Sequence, residues 1–438
     1  MPVLRRSPLG RWIDPADAFF ALCGDDTDVF WLDSGPNTTA GRSYLGRASR
    51  VVTSESRASM LQFLRTDLSA RRLRPTTDGF SLGWVGWLGY ETRFETMGTV
   101  RPSGDAADTP SADAAFLYID HAVEFDHAKR EVTLLSLDDR NEDWADALGE
   151  PIAAVAPIAP VGRALAAFWR DTDADYLAKI RECKARIAAG DAYQLCLTTA
   201  VRVETTPDPV ATYFALRAAN PSHHGALVRI GDTSLLSSSP EQFLTVSPDG
   251  VVESRPIKGT RPRGETAQAD AALAAELRAN EKERAENLMI VDLMRNDIGR
   301  VSRIGSVEVP ELLEVESYAT VHQLVSTVRG HLEEGLDAID AVVSCFPAGS
   351  MTGAPKSSAT RILNELEGEP RGIYSGAFGY FGLDGRVDLA MVIRSIILSP
   401  SGATIGTGGG ITALSDPDEE LAEVKLKAAA LLKVLGAG

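Results

Sequence analysis

Lys258 carries the most chemical promise, in the run Glu253-Ser254-Arg255-Pro256-Ile257-Lys258-Gly259-Thr260-Arg261-Pro262-Arg263-Gly264. Pro256 stiffens the approach to it, and Gly259 leaves room for a ligand beside the amine. Arginines at 255, 261 and 263 disfavour another positive charge, so part of the amine is expected to be unprotonated and nucleophilic near neutral pH. That makes Lys258 a candidate covalent catalyst; the competing reading is a solvated lysine in a basic turn. Carboxylates supply the second theme. Glu286 and Glu423, on different helices, form an oxygen-only pair suited to a hard cation such as Mg²⁺, which takes few protein carboxylates and keeps water and ligand oxygens. Salt bridges to neighbouring helices would serve the same glutamates equally well.

Anion sites are the third theme. The run Ile405-Gly406-Thr407-Gly408-Gly409-Gly410-Ile411 reads as a loop whose N–H groups converge on an anion, without the form of a nucleotide-binding loop. A loop opening a helix at 346–356 offers hydroxyls at Ser350 and Thr352 and either an anion site or a plain N-cap. Glu241, after Ser239-Pro240, and His322 are acid–base candidates; a lone histidine beside apolar residues is more often a satisfied core residue.

These residues need elements to hold them. Alternating runs at 29–32, 80–90, 115–125 and 131–137 predict strands, and helices are predicted over 175–189, 269–295, 354–366 and 416–435. On the last helix Leu421, Val424, Ala428, Leu431, Leu432 and Leu435 form one stripe, with Glu420, Glu423 and Lys427 at its edge. In the second helix, 288–294 is apolar nearly all round and is expected to be buried, with Glu283 and Glu286 one turn earlier; buried carboxylates must be paired or bind a cation. A Pro- and Ala-rich stretch at 149–162 predicts a division into an N-terminal region, 1–160, and a catalytic region, 165–435. A loop rich in Gly, Asp and Ala at 98–113 is expected to be mobile.

With 44 Lys and Arg against 61 Asp and Glu the formal charge is −17, which argues against nucleic acid or an anionic membrane surface as the main partner. An anionic substrate would need a local basic pocket, to which the Lys258 run and Arg394 would contribute. No stretch approaches the roughly eighteen apolar residues of a membrane span, and the start of the chain leads into no apolar signal core, so a cytoplasmic location is expected. Cys23, Cys183, Cys196 and Cys345 are scattered without a CxxC pair and read as buried thiols.

Taken together, these runs resemble the chorismate-utilising enzymes, which include anthranilate synthase, aminodeoxychorismate synthase, isochorismate synthase and salicylate synthase. The likeness is dense from about 170 to 433, through Gly190-Asp191-Ala192-Tyr193-Gln194, Ser239-Pro240-Glu241, Pro256 to Thr260, Ala285-Glu286-Asn287, Gly349 to Lys356, Tyr374 to Tyr380, Ile393-Arg394-Ser395 and Glu420 to Lys427. It is weaker at Trp31 to Ser34, Arg42 to Gly46 and Gly83 to Glu91. The resemblance implies an α+β fold of two mainly antiparallel sheets packed as a sandwich, helices outside and the active site in a cleft between them. A lysine in Pro-Ile-Lys-Gly-Thr resembles the mark of aminodeoxychorismate synthase component I, where anthranilate synthases usually carry alanine.

By that resemblance Lys258 adds to chorismate at C2 as the 4-hydroxyl leaves, and ammonia then adds at C4 and expels the lysine. Glu286 and Glu423 would hold Mg²⁺ with Glu283 and Glu420 nearby, and Glu241 would be the acid at the leaving oxygen. Gln194 stands where isochorismate and salicylate synthases have a lysine base for water attack, which favours ammonia. Arg394, Tyr374, Ser350 and the N–H groups of Gly408, Gly409 and Gly410 would bind substrate carboxylates, with Lys427 beside the metal. Gln323 replaces the histidine tied to pyruvate release in anthranilate synthases, and His322, one place earlier, is not expected to reach substrate. Leu32 and Ser34 resemble one wall of a tryptophan pocket. None of the cysteines sits in a glutaminase elbow, so a separate glutamine amidotransferase subunit is expected to supply ammonia for p-aminobenzoate and folate synthesis. Anthranilate synthase and a catalytically silent amidotransferase-binding paralogue stay open as alternatives.

Overall fold

The computed structural model describes residues 3–24, 26–56, 59–75, 79–101, 111–137, 142–149, 165–318 and 321–437. Runs rich in Val, Ile, Leu and aromatic residues, buried on both faces in strands such as Gly83–Leu88, Ala114–Ile119 and Ala377–Gly382, form two sheets of twelve and ten strands, antiparallel at every pairing among the described residues. The larger sheet runs from Arg5–Pro8 at one edge, through Val29–Asp33, His224–Ile230, Thr233–Ser239 and Ser395–Ser399, to Gly402–Ile411, Gln194–Val203 and Gly353–Ala354. The smaller runs from Ile257–Pro262, through Val321–His331, Gln242–Val246 and Ala377–Gly382, to Gly83–Leu88, Ala114–Ile119 and Arg50–Thr53. Strands from either side of residue 160 enter both sheets; residues 150–164 of the expected connection lie outside the described residues.

An apolar layer fills the sandwich, where Tyr380 of the smaller sheet meets Tyr44 of the larger, while Trp84, Phe116 and Phe381 lie on the smaller sheet's other face, Trp84 edge-on to Phe63 of the helix Met60–Ala70. The outer face of the larger sheet buries Trp31, Leu227, Leu236 and Ile405 under the helices Pro15–Cys23, Pro209–Ala219 and Pro417–Val434. All four cysteines are free and buried. Among the described residues no helix is long and apolar enough to cross a membrane.

Three expectations need correction. The run 115–125 is two strands: Ala114–Ile119 joins the smaller sheet and His121–Asp126 the larger, so Asp120 marks a corner between sheets. The helix 269–295 is two, Ala267–Ala279 and Glu281–Gly299, because the Asn280 side chain accepts from the Glu283 N–H and starts a new helix. Within the second, Ile290, Val291 and Met294 are buried but Leu288 is 43% exposed, so the helix is not enclosed all round. The expected mobile loop falls largely on 102–110, outside the described residues.

One buried ion pair locks the elements that frame the cleft. Arg371 donates to both oxygens of Glu367 at 2.7 and 2.8 Å, to the Met351 carbonyl at 2.7 Å, to the Cys196 carbonyl at 3.0 Å and to the Ser375 hydroxyl at 3.3 Å. Glu367 in turn accepts from the Thr198 N–H and hydroxyl at 2.9 and 3.0 Å. Arg371→Met leaves Glu367 buried and uncompensated, and it is expected to cost about 3–5 kcal/mol. Urea denaturation followed by far-UV circular dichroism measures this; a loss well under 1 kcal/mol would show that the pair is dispensable.

Candidate active site

The chain crosses from the larger sheet to the smaller between Ser239 and Gln242, and the crossing carries Glu241 into a cleft of about 480 Å³ between the sheets. Burial pushes the Glu241 carboxyl above its usual range, against the opposing pull of Lys258 and a hydrogen bond with Ser350. A carboxyl so held keeps its proton to higher pH and suits proton donation.

Lys258 lines the same cleft from the strand Ile257–Pro262, whose pairing with Val321–His331 slips between Ile257 and Thr260. The slip is made at Gly259, φ +80°, where a Cβ would sit 2.7 Å from Leu277 and 3.0 Å from Glu283. The space beside the lysine backbone is therefore filled by protein, not left for a ligand. Nor do the three nearby arginines weigh on its charge, because each is paired with a carboxylate. Arg255 pairs with Glu316 and Glu311, Arg261 with Glu276 at 2.6 Å and Glu283 at 3.4 Å, and Arg263 with Asp270 at 2.8 Å. Desolvation lowers the Lys258 pKa, but Glu286, Cys196, Glu241 and Glu423 together outweigh it and hold the amine above its ordinary value. The surrounding carboxylates thus favour its charged form.

The four acidic candidates converge on the cleft from the helices Glu281–Gly299 and Pro417–Val434. Three have cationic partners: Glu423 with Lys427 at 2.7 Å, Glu420 with Lys282 at 3.2 Å, and Glu283 with Arg261. Glu420 also accepts from the Ser415 hydroxyl at 2.7 Å. Glu286 makes no hydrogen bond or ion pair among the described residues, and desolvation raises its pKa. Glu423, by contrast, stays below the usual carboxylate range, because Lys427, Lys282 and Lys258 outweigh its desolvation.

Donors line the same cleft. Arg394 holds a left-handed φ of +51° and Ser375, next to Tyr374, one of +65°, strain of the kind that persists where a side chain must be aimed. Neither the Arg394 guanidinium nor the Tyr374 hydroxyl has a partner among the described residues, and both line the cleft. Lys427 donates to the Gly408 carbonyl at 2.9 Å.

The glycine run is not a loop. Gly402–Ile411 is a strand paired with Gln194–Val203 from Ala403 to Ile411, so Gly408 and Gly410 share one side-chain-free face, while a Cβ on Gly409 would point to the helix Pro417–Val434, 3.1 Å from Glu420. Gln194 lies over that face: a Cβ on Gly410 would fall 2.3 Å from the Gln194 Nε2. Gln194 is 1% exposed and neither of its amide atoms has a partner; the Gln323 Oε1 is likewise unpartnered. His322 is held by Ser317 at 2.7 Å and Asp270 at 2.9 Å, away from the cleft lining. Leu32 and Ser34 line a separate cavity of about 820 Å³.

Sequence reasoning missed Cys196, Lys282 and Arg371. Cys196 was legible in principle, two residues from Gln194 on the same face of one strand. Lys282 lies four residues before Glu286 on one helix, but its partner Glu420 is distant in sequence.

A family model described as chorismate binding enzyme matches residues 27–433. The chain belongs to the chorismate-binding enzyme family. An aminodeoxychorismate synthase of Streptomyces griseus is 42% identical over 99% of the chain, which spans 64% of that protein's length. An anthranilate synthase component 1 of Streptomyces coelicolor is 39% identical over 96% of the chain and 86% of its own length. The crystal structure of anthranilate synthase component I from Streptococcus pneumoniae TIGR4 superposes with a TM-score of 0.74 at 29% identity, covering 98% of this chain and 92% of that one. The α+β sandwich is thus the fold of this family.

Because Glu286 is the foremost carboxylate holding Lys258 charged, Glu286→Gln is expected to lower the lysine pKa and shift its reductive methylation to lower pH. Peptide mass spectrometry across a pH series reads the midpoint; an unmoved midpoint would show that the two groups are not coupled.

Proposed function

We propose that the chain is the chorismate-aminating component of an aminodeoxychorismate synthase, acting in p-aminobenzoate and folate synthesis. The observation that carries this is that Lys258, the Glu241 carboxyl raised by burial and the unpartnered Glu286 share one cleft. Chorismate is a dicarboxylate, and Arg394 with the Tyr374 hydroxyl are the free donors able to receive it. Ser350 and the N–H groups of Gly408 to Gly410, which line the same cleft, are the further proposed contacts to it.

Glu286 and Glu423, with Glu420 and Glu283 behind them, suit a hard cation that keeps part of its water shell. A bound Mg²⁺ would offset the charge that keeps Lys258 protonated and assist departure of the 4-hydroxyl. Glu241 delivers the proton to that oxygen, which leaves as water while the Lys258 amine forms a bond to C2 and both conjugated ring double bonds shift toward C4. Ammonia then bonds to C4, both double bonds shift back, and the C2–N bond to lysine breaks. Gln194 has no basic atom with which to deprotonate water, which favours amination over hydration. A glutamine amidotransferase subunit is the proposed ammonia source, and the cytoplasm the proposed location. The cavity at Leu32 and Ser34 is our candidate for a tryptophan site.

Anthranilate synthase is the second reading, supported by the Streptomyces coelicolor relative. Lys258 and Gln323 weigh against it.

Incubation with chorismate, Mg²⁺ and ammonium, with products identified by mass spectrometry, is expected to give 4-amino-4-deoxychorismate. Glu241→Gln should lower kcat by about 10²–10⁴-fold, and Lys258→Met at least as much. Chelation of divalent cations should abolish turnover. A fluorescent aromatic product formed without added lyase would return the anthranilate reading, and no turnover at all would return the silent paralogue.

A further inference from the structure

Three of the four clustered carboxylates hold cations of the chain's own, and those cations are anchored unequally. Lys427 binds Glu423 at 2.7 Å and the Gly408 carbonyl at 2.9 Å. Arg261 binds Glu276 at 2.6 Å, the Thr260 carbonyl at 3.0 Å and Glu283 at 3.4 Å. Lys282 has Glu420 alone among the described residues, at 3.2 Å, and its side chain is 42% exposed. Glu420 is buried and is held from a second side by the Ser415 hydroxyl at 2.7 Å. Of the three contacts, this is the one that opens most cheaply. The acid keeps its place, and the ammonium passes from the cleft to water by rotations of its own flexible stem.

Lys282 is also placed to act on more than its partner. It lies four residues before Glu286, on the same face of Glu281–Gly299, and its ammonium reaches across to Glu420 on Pro417–Val434. One positive charge therefore joins the two helices that carry the acids. Lys282, Glu286, Glu420 and Glu423 line one cleft, and the lysine charge opposes desolvation at both Glu286 and Glu423. Without it, the buried Glu420 and the unpartnered Glu286 would face each other as uncompensated like charges, which burial makes costly.

We propose that Lys282 is the resident counter-ion of the acidic cluster, holding the place of the divalent cation in the free chain and giving way to it, so that this side chain sets how tightly the cluster binds metal. The inference rests on the Mg²⁺ reading of Glu286 and Glu423 above. A divalent ion surpasses the ammonium by one unit of charge and by the number of oxygens it gathers. A monovalent ion offers no more charge than the ammonium it must displace, so the same lysine screens the cluster against monovalent salt.

Mn²⁺, which shares the oxygen preference of Mg²⁺, is the probe. Free Mn²⁺ is counted by electron paramagnetic resonance as the full chain is titrated at constant ionic strength without chorismate. Lys282→Met is expected to lower the Mn²⁺ Kd about tenfold or more, because the charge that competed for the acids is gone. Lys282→Arg keeps that charge and is expected to stay at or above the wild-type Kd. Lys425→Met removes the same charge from the same helix as Glu423, but where it pairs with Asp173 at 2.5 Å, and is expected to leave the Kd within about twofold of wild type. Should Lys282→Met fail to fold, Lys282→Gln carries the same expectation. An unchanged or raised Kd in the folded variant overturns the counter-ion role, as does an equal tightening in Lys282→Arg or Lys425→Met. Mn²⁺ bound by neither the wild type nor Lys282→Met overturns the metal reading and the counter-ion role with it.

Discussion

The cleft depends on a guanidinium that never touches it as a reagent. Arg371, enclosed with Glu367, spends its donors on carbonyls at Met351 and Cys196 and on Ser375, while Glu367 takes the N–H and hydroxyl of Thr198. Those contacts fix the Gly349–Met351 turn that carries Ser350, the inner face of Gln194–Val203 and the bend that aims Tyr374. A buried pair is costly to desolvate and seldom adds stability over an apolar filling. Its benefit here is register: three segments from different parts of the chain meet one rigid, planar fork, so their spacing is set by donor geometry rather than by soft packing.

Charge in the cleft is compensated unevenly. Lys282, Lys427 and Lys258 interleave with Glu420, Glu423, Glu286 and Glu241, and Lys282 and Lys427 are paired with Glu420 and Glu423. Arg394 and Tyr374 stand without partners among the described residues, Arg394 itself strained into left-handed conformation. An unpaired cation beside an unpaired phenol is an arrangement that folding alone does not favour, since both lose hydration without compensation. Substrate carboxylates supply the compensation in the proposed reaction. Glu286 is the converse case, a carboxylate without a partner among the described residues.

The motifs were legible because each is a short local string, and the last helix because its stripe and its acidic edge obey one period. The surroundings of Lys258 were not. Arg255, Arg261 and Arg263 are its neighbours in sequence, yet their partners come from Ala267–Ala279, Glu281–Gly299 and Glu308–Ser317, and no local pattern announces that. The glycine strand misread as a loop has the same origin. Glycine has poor strand propensity, and only pairing to Gln194–Val203, some two hundred residues earlier, gives the run its ladder. The corner at Asp120 escaped because both strands flanking it are buried and apolar, so the alternation continues through a change of sheet.

Neutral amides occupy the places where this cleft could otherwise host a base. Gln194 and Gln323 are both buried with unpartnered polar atoms, and neither titrates. Among the groups that do titrate there, burial holds the Glu241 carboxyl above its usual range, and the carboxylates around Lys258 hold its amine above its own. A cation that neutralised Glu286 and Glu423 would leave desolvation as the dominant influence on the lysine and tip it toward the free amine. Nucleophile and metal are then not independent components. The same two glutamates that would bind the ion also decide whether the amine beside them can react, which couples activation of Lys258 to loading of the site.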